Sequence, residues 1–165
     1  MFYRENILSL FGDALHQTEQ LTFCRDDQGK PVYTTDEQLT ILNKIIAIYK
    51  ILLEEGDYNF FAQFMESAHR QSARLYAEKK DGENTLACLR KMAEFALVFM
   101  QYPADAVQTS LLFRGVKYGG WVKNTPGAVK EMAAETIDYM AHERFDFVRD
   151  TKEFAEILAL LKNNA

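Results

Sequence analysis

Apolar residues recur at three- and four-residue steps along most of this chain. Tyr3, Ile7, Leu10, Phe11, Ala14, Thr18 and Leu21 predict a first amphipathic helix. A polar turn, Arg25 to Pro31, separates Phe23 from Val32 and Tyr33 and predicts a long loop or small hairpin. Thr34 with Glu37, or Thr35 with Gln38, makes a capping box that opens a second helix. That helix places Leu39, Leu42, Ile45, Ile46, Tyr49, Leu52 and Leu53 on one face. Ile41, Ile48 and Ile51 widen the face, so the helix is expected to be covered on two sides. Glu55-Gly56-Asp57 ends it. A third helix carries Tyr58, Phe61, Met65, Ala68, Ser72, Leu75 and Tyr76, and Asp81-Gly82 separates this from a fourth that runs to about Gln101.

Pro103 marks the exit from the fourth helix, and from there to Thr125 the periodicity fails. Thr109 to Phe113 is a short apolar run, followed by Gly115, Gly119 and Gly120. Thr125-Pro126 reads as N-cap and first position of a fifth helix bearing Val129, Met132, Ala133, Thr136, Ile137 and Met140. Asp150, with Glu153 at the box position, is expected to cap a last helix that turns Phe154, Ile157, Leu158 and Leu161 inward.

Between Glu66 and Ala96 small and bulky residues alternate in the order a tetratricopeptide unit needs. Ala73 lies one turn before Tyr76, residues 79–83 break the helix, and Leu86, Leu89, Ala93 and Ala96 resume the stripe. Helices approach closely only where a small side chain meets a large one. Lys80 stands where a turn glycine is common, Thr85 where alanine is usual, and Met92 where a second small residue is usual. The expected fold is all-α: stacked antiparallel helix pairs in a tetratricopeptide-like α-α superhelix, closed by a C-terminal helical cap. Residues 1–165 read as one domain, because no linker divides them.

Composition narrows the function. A chain of 165 residues, 48% hydrophobic and 26% charged, is large enough to bury a core and is not of disordered type. A formal charge of −5 argues against nucleic-acid binding by this segment, which would need clustered Lys and Arg. Cys24 and Cys88 lie far apart and read as reduced thiols. No apolar run is long enough for a membrane span and no signal pattern opens the chain, so a cytoplasmic setting is expected.

Candidate chemistry is sparse. Glu66-x-x-His69 has the spacing of half a di-iron motif, but Asp13-x-x-His16 and Asp138-x-x-x-His142 do not complete one, and solvated helix-surface histidines are the simpler reading. No histidine is tied to either cysteine by a local signature, and the glycines at 115, 119 and 120 lack a phosphate-loop context. No catalytic residue, metal or cofactor is assigned. Tyr58, Phe60, Phe61 and Phe64, with Tyr118 and Trp121, fill a core or line a concave groove. Arg70 and Arg74, one turn apart, supply polar contacts to such a groove or lie on a solvated face. The candidate partner-binding set is therefore Tyr58, Phe61, Phe64, Arg70, Arg74, Tyr118 and Trp121.

Four segments resemble a known family. Ile48 to Phe61, with Gly56-Asp57-Tyr58 at its centre, is similar to the "IYxxIFEDGDYxFY" signature of bacterial helix-turn-helix regulators of the xenobiotic-response-element (XRE) type. The hairpin from Leu75 to Ala93 aligns with the same region, and Tyr102 through Thr109-Ser-Leu-Leu-Phe113 is similar to its "YTSLL" segment. Phe145 to Phe154 resembles the closing "YDPIRDDPRF", with Phe147 in place of the usual proline and Thr151-Lys152 in place of Asp-Pro. The resemblance covers the region from Leu15 to Lys162. Without the family, Phe145, Phe147 and Phe154 bracket a turn, and Arg149 is placed to pair with a carboxylate.

The resemblance implies a non-enzymatic C-terminal sensor or oligomerisation domain that binds a peptide, small effector or protein partner. Nucleic acid would be met only through a DNA-binding domain that this sequence does not contain. The sequence begins inside the sensor region, as an excised domain or a stand-alone relative would. A stand-alone tetratricopeptide-like adaptor for protein–protein interaction is the alternative. Homo-oligomers are expected, since operators mirror a two-fold protein axis, with an exposed face of the first helix as the expected surface.

Overall fold

The computed structural model describes residues 2–54, 56–119 and 131–164. Among the described residues the regular structure is helical: α1 (Phe2–Thr22), α2 (Thr35–Leu53), α3 (Ala62–Glu78), α4 (Gly82–Gln101), α5 (Glu131–Met140), α6 (Asp146–Arg149) and α7 (Lys152–Lys162). Single 3-10 turns at Asn59–Phe61 and Glu143–Phe145 lead into α3 and α6. Extended pairing among these residues is confined to two isolated bridges, Arg25 with Pro31 and Val107 with Lys117.

Local chemistry sets the helix ends. At the start of α2, Glu37 N–H donates to Thr34 Oγ1 at 3.3 Å while Thr34 N–H donates to Glu37 Oε2 at 2.8 Å. Of the two capping boxes open in the sequence, this is the one formed. The last helix differs from expectation. Asp150 ends α6, and Thr151 is the cap of α7, its Oγ1 accepting from Phe154 N–H at 3.2 Å. Thr151 holds the extended backbone a cap requires, with ψ 147°, whereas Asp150 is near ψ 3°. Thr125, Pro126 and Val129, expected at the start of the fifth helix, lie outside the described residues.

The pair α3–α4 is the centre of the molecule. Residues 79–81 join the two helices, and Lys80 takes φ +58°, the left-handed conformation for which glycine is the usual choice. Asp81 then caps α4, its carboxylate accepting from Asn84 N–H at 3.1 Å. Ala68, Ala73 and Ala77 on α3 and Leu89, Met92, Ala93 and Ala96 on α4 are all fully buried. That mix of small and large side chains lets the two helices pack closely.

Two apolar clusters flank this pair. The first joins α1 and α2 to the front of α3 and takes in Phe95 and Phe99 of α4. The second joins the back of α3 and α4 to Met140, Phe145, Val148, Phe154, Ile157 and Leu161. Gly12 brings α1 against the first cluster, since a Cβ there would lie 2.8 Å from Phe61 Cε1. Of the three residues expected to widen the covered face of α2, Ile41 is half-buried against the core, whereas Ile51 is 74% exposed and Ile48 38%, beyond the reach of α1 and α3. Phe147 is likewise partly exposed, its ring 4.8 Å from the Lys80 ammonium. Arg149 does pair with a carboxylate, Asp146, and also donates to Ala141 O at 2.8 Å.

The segment after Pro103 is held by carboxylates from the end of α2. Asp57, 3% exposed, accepts from Thr109 N–H at 2.8 Å and from Ser110 N–H at 2.9 Å. Oriented with its nitrogen inward, the Gln108 amide donates to the same carboxylate at 2.6 Å. Glu54 accepts from Leu111 N–H at 3.0 Å. The apolar run divides here: Phe113 is buried, whereas Leu111 and Leu112 face solvent.

Candidate functional site

Among the described residues, the aromatics singled out in the sequence lie in the core or pack against it. Tyr58 and Phe61 are 6% and 1% exposed, so they do not line a groove. Tyr118 stacks on Phe61 with ring centroids 5.2 Å apart, and its hydroxyl donates to Ser9 at 2.9 Å. Phe64 is half-buried against Tyr49 and His16. The physical reason is that neighbouring elements cover them: Tyr58 packs on Phe95 of α4, Phe64 on α1 and α2, and Phe61 under Tyr118 of the segment that Asp57 holds. Trp121 lies outside the described residues.

Polar groups on α1, α3 and α5 form a connected line. Glu19, 2% exposed, accepts from Ser67 Oγ at 2.5 Å. Its neighbour Glu66, 4% exposed, holds the Arg70 guanidinium at 2.6 and 2.9 Å. Arg70 lies 4.8 Å from the Tyr139 ring centroid, and Tyr139 Oη donates to the Arg70 carbonyl at 2.9 Å. Burial raises the pKa of Glu19, with Ser67 opposing the rise. Burial also raises that of Glu66, with Arg70 opposing it. The Tyr139 hydroxyl is pushed up to about 12 by burial. Each charge here answers another group inside the protein, as buried charges must. Arg70 is thereby a packing residue.

The reading of His69 as a solvated helix-surface histidine is corrected by the same geometry. His69 stacks on Phe95 at 5.6 Å, and among the described residues neither ring nitrogen has a hydrogen-bond partner. Burial lowers its pKa to about 4, so the ring is neutral at physiological pH. The α4 helix covers this face, which the residue spacing on α3 alone does not reveal. Among the described residues no group of three His, Cys, Asp or Glu side chains is placed to hold a metal ion. Both cysteines are free, and burial pushes the Cys88 thiol up to about 11, away from the reactive range.

Arg74 is placed differently. It borders a cleft of about 500 Å³ formed by the α1–α2 connection, the start of α2 and the end of α3. Phe23, Arg25, Tyr33, Thr34 and Gln38 line it with Arg74. The Arg74 guanidinium sits 4.8 Å from the Phe23 ring centroid, donates to Gln71 at 3.2 Å, and pairs with Glu78 at 3.4 Å. Arg25 donates to Gly29 O at 2.7 Å. A guanidinium carries five N–H groups, so both arginines retain donors for a ligand. Gln38 is committed, its amide donating to Thr22 O at 3.3 Å and joining α2 to the end of α1.

Among the described residues expected at the site, only Arg74 borders this cleft; Phe61 borders a separate small hollow with no room for a water molecule. Phe23, Arg25 and Tyr33 were not singled out. In the sequence they flank a polar turn, and nothing local says that the turn folds back beside the end of α3.

No protein-family model, curated protein or solved structure shows a significant match to the chain. Among the described residues, no helix is long and apolar enough to cross a membrane.

Proposed function

We propose that this chain is a non-enzymatic sensor domain of the kind carried by XRE-type helix-turn-helix regulators, built as a tetratricopeptide-like array. The cleft beside Phe23 and Arg74 is its effector site. Its occupant is a short peptide or small molecule that offers a carboxylate next to an apolar group. The observation that carries this reading is the cleft itself. Its volume is that of small-ligand pockets, and its lining holds two guanidiniums, Arg25 and the Arg74 that lies over the Phe23 ring and pairs with Glu78. Arginine forks match carboxylates in charge and in shape, and Phe23 and Tyr33 supply apolar surface.

The cleft draws its walls from three successive elements, so a ligand filling it has different contacts in each packing of α1–α2 against α3. Differential contact of that kind shifts populations between packings, which is how an effector re-spaces attached subunits.

Calorimetric titration with an acetylated phenylalanyl-leucine dipeptide tests this. The free acid is expected to bind at least about tenfold more tightly than the C-terminal amide, because each such bond is charge-assisted. Arg74→Gln, with an unchanged circular dichroism spectrum, is expected to erase the preference. Equal affinity for acid and amide, or no binding of either, overturns the effector site.

A further inference from the structure

Helix α1 is apolar on two sides, and the core uses only one. Leu8, Gly12, Leu15, Glu19 and Thr22 are buried and step along the helix by four, three, four and three residues. A second stripe, Tyr3, Ile7, Leu10, Ala14, Gln17 and Leu21, steps by four, three, four, three and four, and all of it is exposed. Tyr3 is 84% exposed, Leu10 66% and Leu21 62%. A surface helix of a monomer needs one apolar stripe. A second stripe whose steps alternate between four and three residues follows the pattern by which helices pair.

The seam also has the local shape of such packing. Ile7, Leu10, Phe11 and Ala14 frame an open hollow of about 280 Å³. Those four positions, one turn apart in two rows, are the hole that receives a single side chain from a facing helix in knobs-into-holes packing.

We propose that α1 pairs antiparallel with α1 of a second copy of this chain, about a two-fold axis that crosses the exposed seam at the height of Gly12, on the side of the helix away from it. The seam reads the same from either end about that residue. Tyr3 falls opposite the partner copy's position 21, residue 7 opposite 17, and Leu10 opposite position 14, so large side chains meet small ones at the central layers. Phe11 of each copy lies next to the axis. This is the self-complementarity that a closed two-fold dimer requires. Antiparallel pairing also sets opposite helix-dipole ends side by side. A parallel pair would instead oppose alanine to alanine at position 14 and leave a void in the middle of the seam.

The area is adequate. From the exposures of these residues and aromatic areas of roughly 150–250 Å², the apolar seam offers about 600 Å² per copy. A stable interface needs about 800 Å² per partner, and the flanking Arg4, Asn6 and Thr18 supply the remainder. A lipid surface is the poorer occupant, because the solvent-facing side of α1 carries Glu5 and Asp13 against the single basic residue Arg4, short of the cationic face that anionic lipids attract.

Sedimentation equilibrium over a wide concentration range, with site-directed cross-linking, tests the pairing. Wild-type protein is expected to form dimers. Leu10→Glu, at a position too exposed to disturb the monomer, is expected to raise the dimer dissociation constant by about a hundredfold or more, since it buries carboxylates in an apolar seam. In a Cys24→Ser, Cys88→Ala background, a short bis-maleimide is expected to join Tyr3→Cys of one copy to Leu21→Cys of another. It is not expected to join two Tyr3→Cys copies, whose sites lie about 27 Å apart along an antiparallel pair. Circular dichroism of each variant separates unfolding from dissociation. A wild-type monomer at every concentration overturns the proposal, as does a Leu10→Glu dimer of unchanged affinity or a cross-link between two Tyr3→Cys sites.

Discussion

Ser110 N–H donates to Asp57 Oδ2 at 2.9 Å across 53 positions of sequence, with both residues buried. This contact and its neighbour to Thr109 fasten the segment after Pro103 onto the end of α2. Asp57→Asn replaces an oxygen with an amide group that faces donors. It is expected to cost about 2 kcal/mol in urea denaturation, the range for hydrogen bonds to a charged group. Amide exchange at residues 109–111 should accelerate more than exchange in α7. Uniform acceleration across the chain would show that the clasp has no local role.

Gly12→Ala is expected to destabilise the protein by about 1–3 kcal/mol through overpacking against Phe61. Gly82→Ala is the control. Its added Cβ would meet Val148 Cγ1 at 3.5 Å, an ordinary contact, so thermal unfolding should change little. Equal effects at the two positions would mean that helix propensity, not the approach of α1 to Phe61, decides the outcome.

His69 makes stability depend on pH in a defined direction. Its folded pKa, about 4, lies below the ordinary 6.5, so its contribution is complete above pH 6.5 and is lost as pH falls toward 4. The loss is of order 3 kcal/mol. His69→Phe keeps the stack on Phe95 and removes the titration. Its stability relative to wild type should rise steadily as pH is lowered through that window, as read by denaturant midpoints.

Glu19 acts in the opposite sense. Burial raises its folded pKa above 4.5, so its contribution is complete below that value and is lost as pH rises through the raised one. Glu19→Gln keeps an acceptor for Ser67 and removes the charge. In a His69→Phe background, it should flatten the decline in stability above pH 4.5. An unchanged slope would place the burden on Glu66 instead, whose pKa is raised for the same reason.

Helices and their caps were readable because their causes are local. Thr34 and Glu37 lie within one turn of each other, and the alanines of α3 and α4 announce a close approach in any neighbourhood. Which side of a helix meets a neighbour is not local. Ile48 and Ile51 look like core in the sequence and face solvent, while Glu19 and His69 look like surface and are covered. The error at Asp150 is of a smaller kind, since two adjacent capping residues compete and backbone conformation selects Thr151. For the cleft, Arg74 was legible as one of a helical pair of arginines. Phe23 and Arg25 join it only through the path of a loop.

Phe95 and Phe99 of α4 belong to one apolar cluster, and Leu89, Met92 and Ala93 to the other. A single rod thus serves as the party wall of two compartments. Either compartment can open while its neighbour stays shut, but the wall cannot be dissolved without emptying both. The amides of α4 should therefore be the last in the chain to take up deuterium, and the end built from α5 to α7 can breathe while the compartment of α1 and α2 stays shut.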